Sequence, residues 1–95
     1  MKTIKKVKIE TVFCIFIPKI EEMEQGVVYV TNTYKTSSHL CLCGCGNLSV
    51  TPLNTDGWTM KEKVDGTITL TPSILNNNCP NKSHYIITDN IANFV

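Results

Sequence analysis

The amino-acid sequence predicts a small all-β domain, a compact sandwich or rolled antiparallel sheet of six to eight short strands stapled by one zinc ion. Apolar and polar residues alternate along most of the 95 residues, a period of two that is typical of half-buried strands. No long stretch has the spacing of an amphipathic helix. A chain of this length often needs a metal to supplement its small core. We therefore treat residues 1–95 as a single zinc-binding domain.

The individual strands follow from this alternation and from the turn residues between them. The predicted strands are residues 7–17, 27–31, 38–42, 48–53, 58–63, 67–71, 84–88 and 91–95. Pro18 and Gly26 bound a connector with one helical turn, because proline favours the start of a helix and glycine its end. Asp65-Gly66 predicts a hairpin turn in which both residues take positive φ. Residues 72–83 predict a long polar loop.

Composition argues against two classes of partner. The formal net charge is +1 and no basic stripe alternates with aromatic residues, so nucleic-acid binding is not expected. The apolar segment 12–17 is too short to span a membrane, and it lacks the length and the cleavage site of a signal peptide. We therefore expect a cytoplasmic protein. Stable disulfides are rare in that compartment, which favours metal binding as the role of the five cysteines.

The segment HLCLCGCG at residues 39–46 carries the main chemical signal. Thiolates are preferred zinc ligands, and the glycines between them can adopt backbone angles that other residues avoid. This segment can therefore curl around an ion and direct its amides at the sulfurs. A second group follows at residues 79–84, where the spacing lets a loop close on the metal. The predicted zinc ligands are Cys41, Cys43, Cys45, Cys79 and His84.

Other residues keep more than one interpretation. His39 alternates in phase with the cysteines and could be a ligand, a catalytic base or a surface histidine. Ser73 could donate a hydrogen bond to a ligand or a transition state, although serine in this position more often satisfies the local backbone. Cys14 is expected to pack as a small hydrophobe in its strand. Trp58 is expected in the core, with a surface anchor for a partner as the alternative.

The number of protein ligands decides between a structural and a catalytic zinc. Four ligands complete a tetrahedral shell, whereas three leave a position for a water whose pKa zinc can lower to about 7. With this many candidate ligands the sequence favours a closed site. A zinc hydrolase would also need a carboxylate as general base, and Asp56 and Asp65 are better explained as turn residues.

Taken together, these motifs resemble a known family, the bacterial and phage "domain of unknown function 6527" proteins. The matching pieces are VVYV at 27–30, Tyr34, HLCLCGCG at 39–46, TPL at 51–53, Trp58, LTPSI at 70–74, Cys79 and SHYII at 83–87. The resemblance extends from Gly26 to Ile91, and CGCG is its most distinctive part. It implies zinc held by the cysteine cluster together with Cys79 and His84.

The resemblance also implies a setting and an activity. Members lie beside genes for ubiquitin-like proteins and their activating and conjugating enzymes, in bacterial operons linked to phage defence. The implied role is a zinc-dependent peptidase that processes or removes the ubiquitin-like protein. Zinc-bound water would attack the amide next to a C-terminal glycine, and Ser73 would stabilise the oxyanion. Ser73 and His39 are thus the candidate catalytic residues.

Two further functions stay open on the residues alone. One is a non-catalytic, zinc-stapled adaptor that binds the ubiquitin-like protein or its conjugating enzymes. The other is a small nucleic-acid-binding zinc module, which the balanced charge disfavours. The first two functions differ in whether the metal keeps an open coordination position.

Overall fold

The all-β prediction is confirmed by a computed structural model that describes residues 6–54 and 56–95. Within these ranges the chain forms nine strands and a single turn of 3-10 helix at Ile20–Glu22, inside the predicted connector. The strands are β1 Lys6–Lys8, β2 Glu10–Phe13, β3 Val27–Thr31, β4 Thr36–Leu40, β5 Leu48–Pro52, β6 Thr59–Glu62, β7 Ile68–Leu75, β8 His84–Thr88 and β9 Ile91–Phe94. In these ranges no helix is long and apolar enough to cross a membrane.

The strands are arranged in two sheets that share one apolar core. One sheet has five strands in the order β1-β9-β8-β7-β6, and the other has four in the order β2-β3-β4-β5. Buried residues from both sheets, including Val28 and Val30 of β3 and Leu70 and Ile87 of the larger sheet, belong to one cluster. Among the described pairs only β2 and β3 are parallel, so the antiparallel prediction holds for the others.

The N-terminal strand differs from the prediction of one continuous run over residues 7–17. Ile9 divides it into β1 of the larger sheet and β2 of the smaller, and residues 14–17 lie outside both strands. The side chain of Ile9 is almost fully buried in the shared core, and its amide donates to the Asn90 carbonyl. The chain therefore changes sheets at a residue that both sheets cover.

The hairpin at Asp65-Gly66 forms as predicted, but its turn has a different geometry. Gly66 has φ of 88°, whereas Asp65 is not among the residues of positive φ. The Asp65 carboxylate instead accepts hydrogen bonds of 3.0 and 2.7 Å from the amide and hydroxyl of Thr67. This side-chain contact replaces the second left-handed residue, as acidic residues commonly do in turns.

Strand β7 extends further than predicted and contains an irregularity that matters for the site. The predicted loop over 72–83 starts only after Leu75, because β7 continues through Pro72. Leu70 pairs with Ile87 and Ile74 pairs with Tyr85, so β7 advances four residues while β8 advances two. Such a bulge bends the strand and redirects the side chains within it.

Candidate metal centre and serine–histidine pair

Four cysteines converge at one end of the fold. The sulfur atoms of Cys41, Cys43, Cys45 and Cys79 all lie within 4.8 Å of one another. Cys43 Sγ lies 3.2 Å from Cys79 Sγ and 3.5 Å from Cys41 Sγ. A tetrahedral zinc with Zn–S bonds of ~2.3 Å separates its sulfurs by ~3.8 Å. The four cysteines, all free of disulfides, therefore form a group of the right size to hold a metal ion.

The glycines shape the backbone of this centre as the sequence predicts. Gly44 and Gly46 have φ of 92° and 85°, the left-handed region that favours glycine. The Gly44 amide donates to the Cys41 carbonyl at 3.0 Å, and the Cys41 amide donates to the Asn47 carbonyl at 2.8 Å. The segment after β4 thus turns tightly enough to direct three cysteines at one point.

Each of the four sulfurs also has a polar side chain within hydrogen-bond distance. The amide groups of Asn76, Asn47 and Asn81 donate to Cys41, Cys45 and Cys43 at 3.2, 3.5 and 3.7 Å, and Ser83 Oγ lies 3.4 Å from Cys79 Sγ. Such donors stabilise thiolates, because they favour the charged form of the ligand. Sequence reasoning expected glycine amides in this role and missed the asparagines, whose only signal was their abundance around Cys79.

The ionisation of the cluster shows why a cation suits it. The hydrogen bond from Ser83 outweighs burial and lowers the pKa of Cys79 to about 5. A hydrogen bond from the backbone of Asn47 lowers the pKa of Cys45, but burial and the other thiols together raise that pKa to about 12. Crowded thiolates repel one another, and a bound divalent cation removes this repulsion. Four thiolates would also complete a tetrahedral shell, which is the composition of a structural site.

His84, the fifth predicted ligand, is not part of the four-cysteine group. Its Nε2 lies 2.6 Å from Ser73 Oγ, and both side chains are half-buried. Ser73 sits within the bulge of β7, and His84 opens β8 opposite Leu75. The structure therefore brings together two residues that the sequence assigned to different roles, one as an oxyanion donor and the other as a metal ligand.

The loop between β7 and β8 connects the serine–histidine pair to the cysteine centre. The side-chain Nδ2 of Asn76 donates to both Cys41 Sγ and Tyr85 Oη. The backbone N–H of Asn76 donates to the Ser83 carbonyl at 2.8 Å. Ser83 contacts Cys79 and directly precedes His84. The residues that flank the metal group thus also fix the strand ends that carry Ser73 and His84.

His39, the other candidate catalytic residue, lies in the core with no exposed surface. Its Nε2 is 2.6 Å from Tyr85 Oη, and burial lowers the pKa of His39 to about 4. The ring is therefore neutral near pH 7 and shares a hydrogen bond with the tyrosine hydroxyl. His39 therefore lies in the core on strand β4, whereas Ser73 and His84 are half-buried.

Cys14 and Trp58 both lie outside the two groups of side chains described above. Cys14 is half-buried, and its sulfur lies 3.7 Å from the Val30 carbonyl, outside the four-cysteine group. Trp58 is half-buried and packs against the core, with its indole Nε1 buried and lacking a hydrogen-bond partner in the described residues.

Fold and site together define a small two-sheet β protein with a four-cysteine centre beside a serine–histidine pair. Residues 14–95 match the model of a family described as the bacterial ubiquitination-like system serine protease (BubE). The chain belongs to this family. Comparison with curated proteins and with solved structures gives no match.

Proposed function

We propose that this protein is a serine peptidase of a bacterial ubiquitin-like pathway, which cleaves at the C-terminal tail of the ubiquitin-like protein. The observation that carries this proposal is the 2.6 Å contact between Ser73 Oγ and His84 Nε2 on half-buried strands. A nucleophile within hydrogen-bond reach of a base is the arrangement that activates serine. The description of the family as a serine protease supports the same assignment.

In the proposed reaction Ser73 is the nucleophile and His84 the general base. Ser73 donates its proton to His84 Nε2 while Oγ bonds to the carbonyl carbon of the substrate. The carbon–nitrogen bond then breaks, and His84 returns that proton to the leaving amine. Water attacks the resulting ester in the same way, which releases the carboxylate and restores the serine hydroxyl. No metal takes part in any of these bond changes.

The second requirement of the reaction is a donor for the oxyanion. Two extra residues of β7 between Leu70 and Ile74 fall outside the ladder to β8. Pro72 has no backbone N–H and Ile74 pairs with Tyr85, so the amide of Ser73 itself is the donor that this bulge can offer. In this proposal the oxyanion role first assigned to the Ser73 hydroxyl passes to the Ser73 amide.

We propose zinc as the ion of the cysteine centre and give it a structural role. Four cysteine sulfurs suit zinc, and they leave no position for the water that a zinc hydrolase activates. The ion, when bound, would cross-link the segment after β4 to the loop before β8. This loop carries Cys79 and ends at His84, so the cross-link would hold the base in place.

The test is cleavage of a bacterial ubiquitin-like precursor with a C-terminal extension, followed by mass spectrometry. We expect hydrolysis by the metal-loaded protein and a loss of at least about 1,000-fold in Ser73→Ala, in line with the removal of a catalytic nucleophile. Ser38→Ala, at a buried serine of β4, serves as the matched control and should retain activity. Activity in Ser73→Ala would overturn the assignment, and binding of the precursor without cleavage would favour the adaptor.

A further inference from the structure

The serine–histidine pair opens on the outer face of the five-stranded sheet. Ile74 and Tyr85, which follow Ser73 and His84 in the chain, are buried in the core. Successive side chains of a strand point to opposite faces, so Ser73 and His84 point away from the core, where they contact each other. A substrate carbonyl therefore approaches Ser73 from this outer face.

Two aliphatic side chains lie beside the pair on this face. Leu75 is paired with His84 across β7 and β8, and it is 50% exposed. Ile86 lies between two buried residues of β8, so it shares the outer face with His84, and it is half-buried. The outer positions toward the other end of these strands are polar: Thr69, Thr71 and Thr88. The aliphatic surface of these two strands is thus next to the pair.

Lysines lie at both edges of the same face. Lys6 and Lys8 flank Val7 on β1, and Val7 packs against the core. On β6, Lys61 follows Met60, which also packs against the core. Alternation therefore places the three lysines on the outer face, on the two strands that border the sheet.

The acidic residues lie on other parts of the molecule. Glu62 of β6 pairs with the buried Ile68 and therefore faces the other side of the sheet. Asp89, in the turn after β8, forms an ion pair of 3.0 Å with Lys63. Four of the eight acidic residues belong to β2 and the connector of the smaller sheet, namely Glu10, Glu21, Glu22 and Glu24. The chain is nearly neutral, but the described strand residues of this outer face carry only positive charge.

Protection of the sheet edges does not by itself account for these lysines. Lysine on an edge strand discourages pairing with another chain, and β1 and β6 are both edge strands. Strand β5 is also an edge strand, yet it carries no charged residue. The protein thus tolerates a neutral edge in one sheet, and the lysines of the other sheet complement an acidic partner.

We propose that the outer face of the five-stranded sheet is the docking surface for the substrate protein. The substrate tail crosses it in extended form, with an aliphatic residue against Leu75 and Ile86 and acidic residues toward the lysines. Three strand spacings of ~4.8 Å separate β7 from β1, so these acidic residues lie about four or five positions from the cleaved bond. This inference rests on the proposed function and adds the specificity of the site.

A kinetic experiment tests the preference for acidic residues. The probes are acetyl-X-X-Leu-Gly-Gly peptides with a C-terminal coumarin amide, where X is Glu, Gln or Lys. Because lysines lie at both edges, the peptide meets one in either direction across the sheet. We expect kcat/KM to fall about threefold from Glu to Gln and again from Gln to Lys at low salt. The three values should converge in about 1 M salt, where the screening length is ~3 Å.

Two double variants of equal net charge locate the effect. Lys8→Glu/Lys61→Glu should reverse the order of the three peptides. Lys19→Glu/Lys35→Glu places the same charge change on the connector and on the turn between β3 and β4, and should keep the wild-type order. An unchanged order in the first variant, or the same change in both, would overturn the docking surface while leaving Ser73 as the nucleophile.

A second pair of variants tests the aliphatic contact. Leu75→Thr should raise the KM of the Glu peptide about fivefold with kcat within a factor of two, since it removes ground-state binding. Val50→Thr is the matched control, because Val50 is 49% exposed on β5 of the other sheet, and its KM should equal that of the wild type. A fall in kcat at unchanged KM in Leu75→Thr would make Leu75 a support of His84 and contradict the contact.

A binding experiment separates this inference from the proposed activity. The unlabelled acetyl-Glu-Glu-Leu-Gly-Gly amide is titrated into ¹⁵N-labelled Ser73→Ala protein and followed by amide chemical shifts. We expect the largest shifts at residues 73–75 and 84–88 and on β1 or β6. Binding there with no hydrolysis by the wild type would sink the peptidase and keep the docking surface. Shifts confined to another surface, none at millimolar peptide, or tighter binding of a single-stranded oligonucleotide at the same amides would overturn it.

Discussion

The cysteine centre and the serine–histidine pair are held by the same loop, yet they differ in how completely their polar atoms are satisfied. Each cysteine sulfur lies within reach of an asparagine or serine side chain, and Cys41 and Cys79 are buried. Ser73 and His84 are half-buried and bonded to each other. Cysteine sulfurs that already accept hydrogen bonds suit a permanently bound ion. A half-buried nucleophile and base suit a substrate that binds and dissociates.

The largest effect should come from breaking the closed centre. Cys79→Ser removes one of four thiolates, and structural zinc contributes ~10–16 kcal/mol in small peptides, as much as the whole ~5–15 kcal/mol stability of a domain. We expect loss of the metal and of cooperative thermal unfolding, measured by elemental analysis and circular dichroism. Cys14→Ser should keep both, because Cys14 lies outside the group. A folded, metal-loaded Cys79→Ser protein would contradict a structural ion.

The next effect separates the two centres directly. His84→Gln should lower kcat by about 100- to 10,000-fold, the range for loss of a general base, with the metal content unchanged. His39→Gln should instead destabilise the fold by ~1–3 kcal/mol, since it disturbs the buried contact with Tyr85. Steady-state kinetics and denaturant titration measure the two outcomes. Loss of the metal in His84→Gln would restore His84 as a ligand.

A smaller effect should appear where the loop joins the centres. Asn76→Ala removes the donor shared by Cys41 Sγ and Tyr85 Oη, and should cost ~1–3 kcal/mol with faster metal loss to a chelator. Asn77→Ala, at the exposed neighbour, should change the unfolding free energy by less than ~0.5 kcal/mol. Equal stabilities for the two variants would show that Asn76 does not connect the centres.

The smallest effect concerns the backbone of the cysteine segment. Gly44→Ala meets no atom within 4 Å of the added carbon, so only its φ of 92° opposes the change. A non-glycine residue in this region costs ~1–3 kcal/mol, and we expect the lower end of that range with the metal retained. Thermal unfolding measures the loss, and a variant as stable as the wild type would show that the turn tolerates other angles.

The strands could be predicted because apolar and polar residues alternate along each of them. Which sheet each strand joins could not be predicted. The run around Ile9 has one continuous pattern, yet the chain changes sheets there, since a fully buried residue fits either core face. Strand β4 was only partly found because its core-facing Ser37 is polar and bonds to Thr51 of β5. Hydropathy gives no signal for a buried polar pair.

The grouping of the four cysteines could be predicted from their chemistry, but the contact of His84 with Ser73 could not. Ser83 and Tyr85 point toward the cysteine centre and the core, respectively. Successive side chains of a strand face opposite sides, so His84 points away from both. Spacing along the chain does not reveal this. The sequence also does not give the register of β7 and β8: the ladder that starts at Leu70 and Ile87 shifts by two residues before Leu75 pairs with His84.

The central claim is that Ser73, activated by His84, is the nucleophile while the cysteines hold a structural ion. The most direct measurement is labelling of the metal-loaded protein with a fluorophosphonate probe, located by peptide mass spectrometry. We predict one adduct on Ser73 of the wild type and of Ser38→Ala, and none on His84→Gln, although that variant keeps its metal. An adduct on another residue, or no adduct on a folded protein that cleaves its substrate, would contradict the claim.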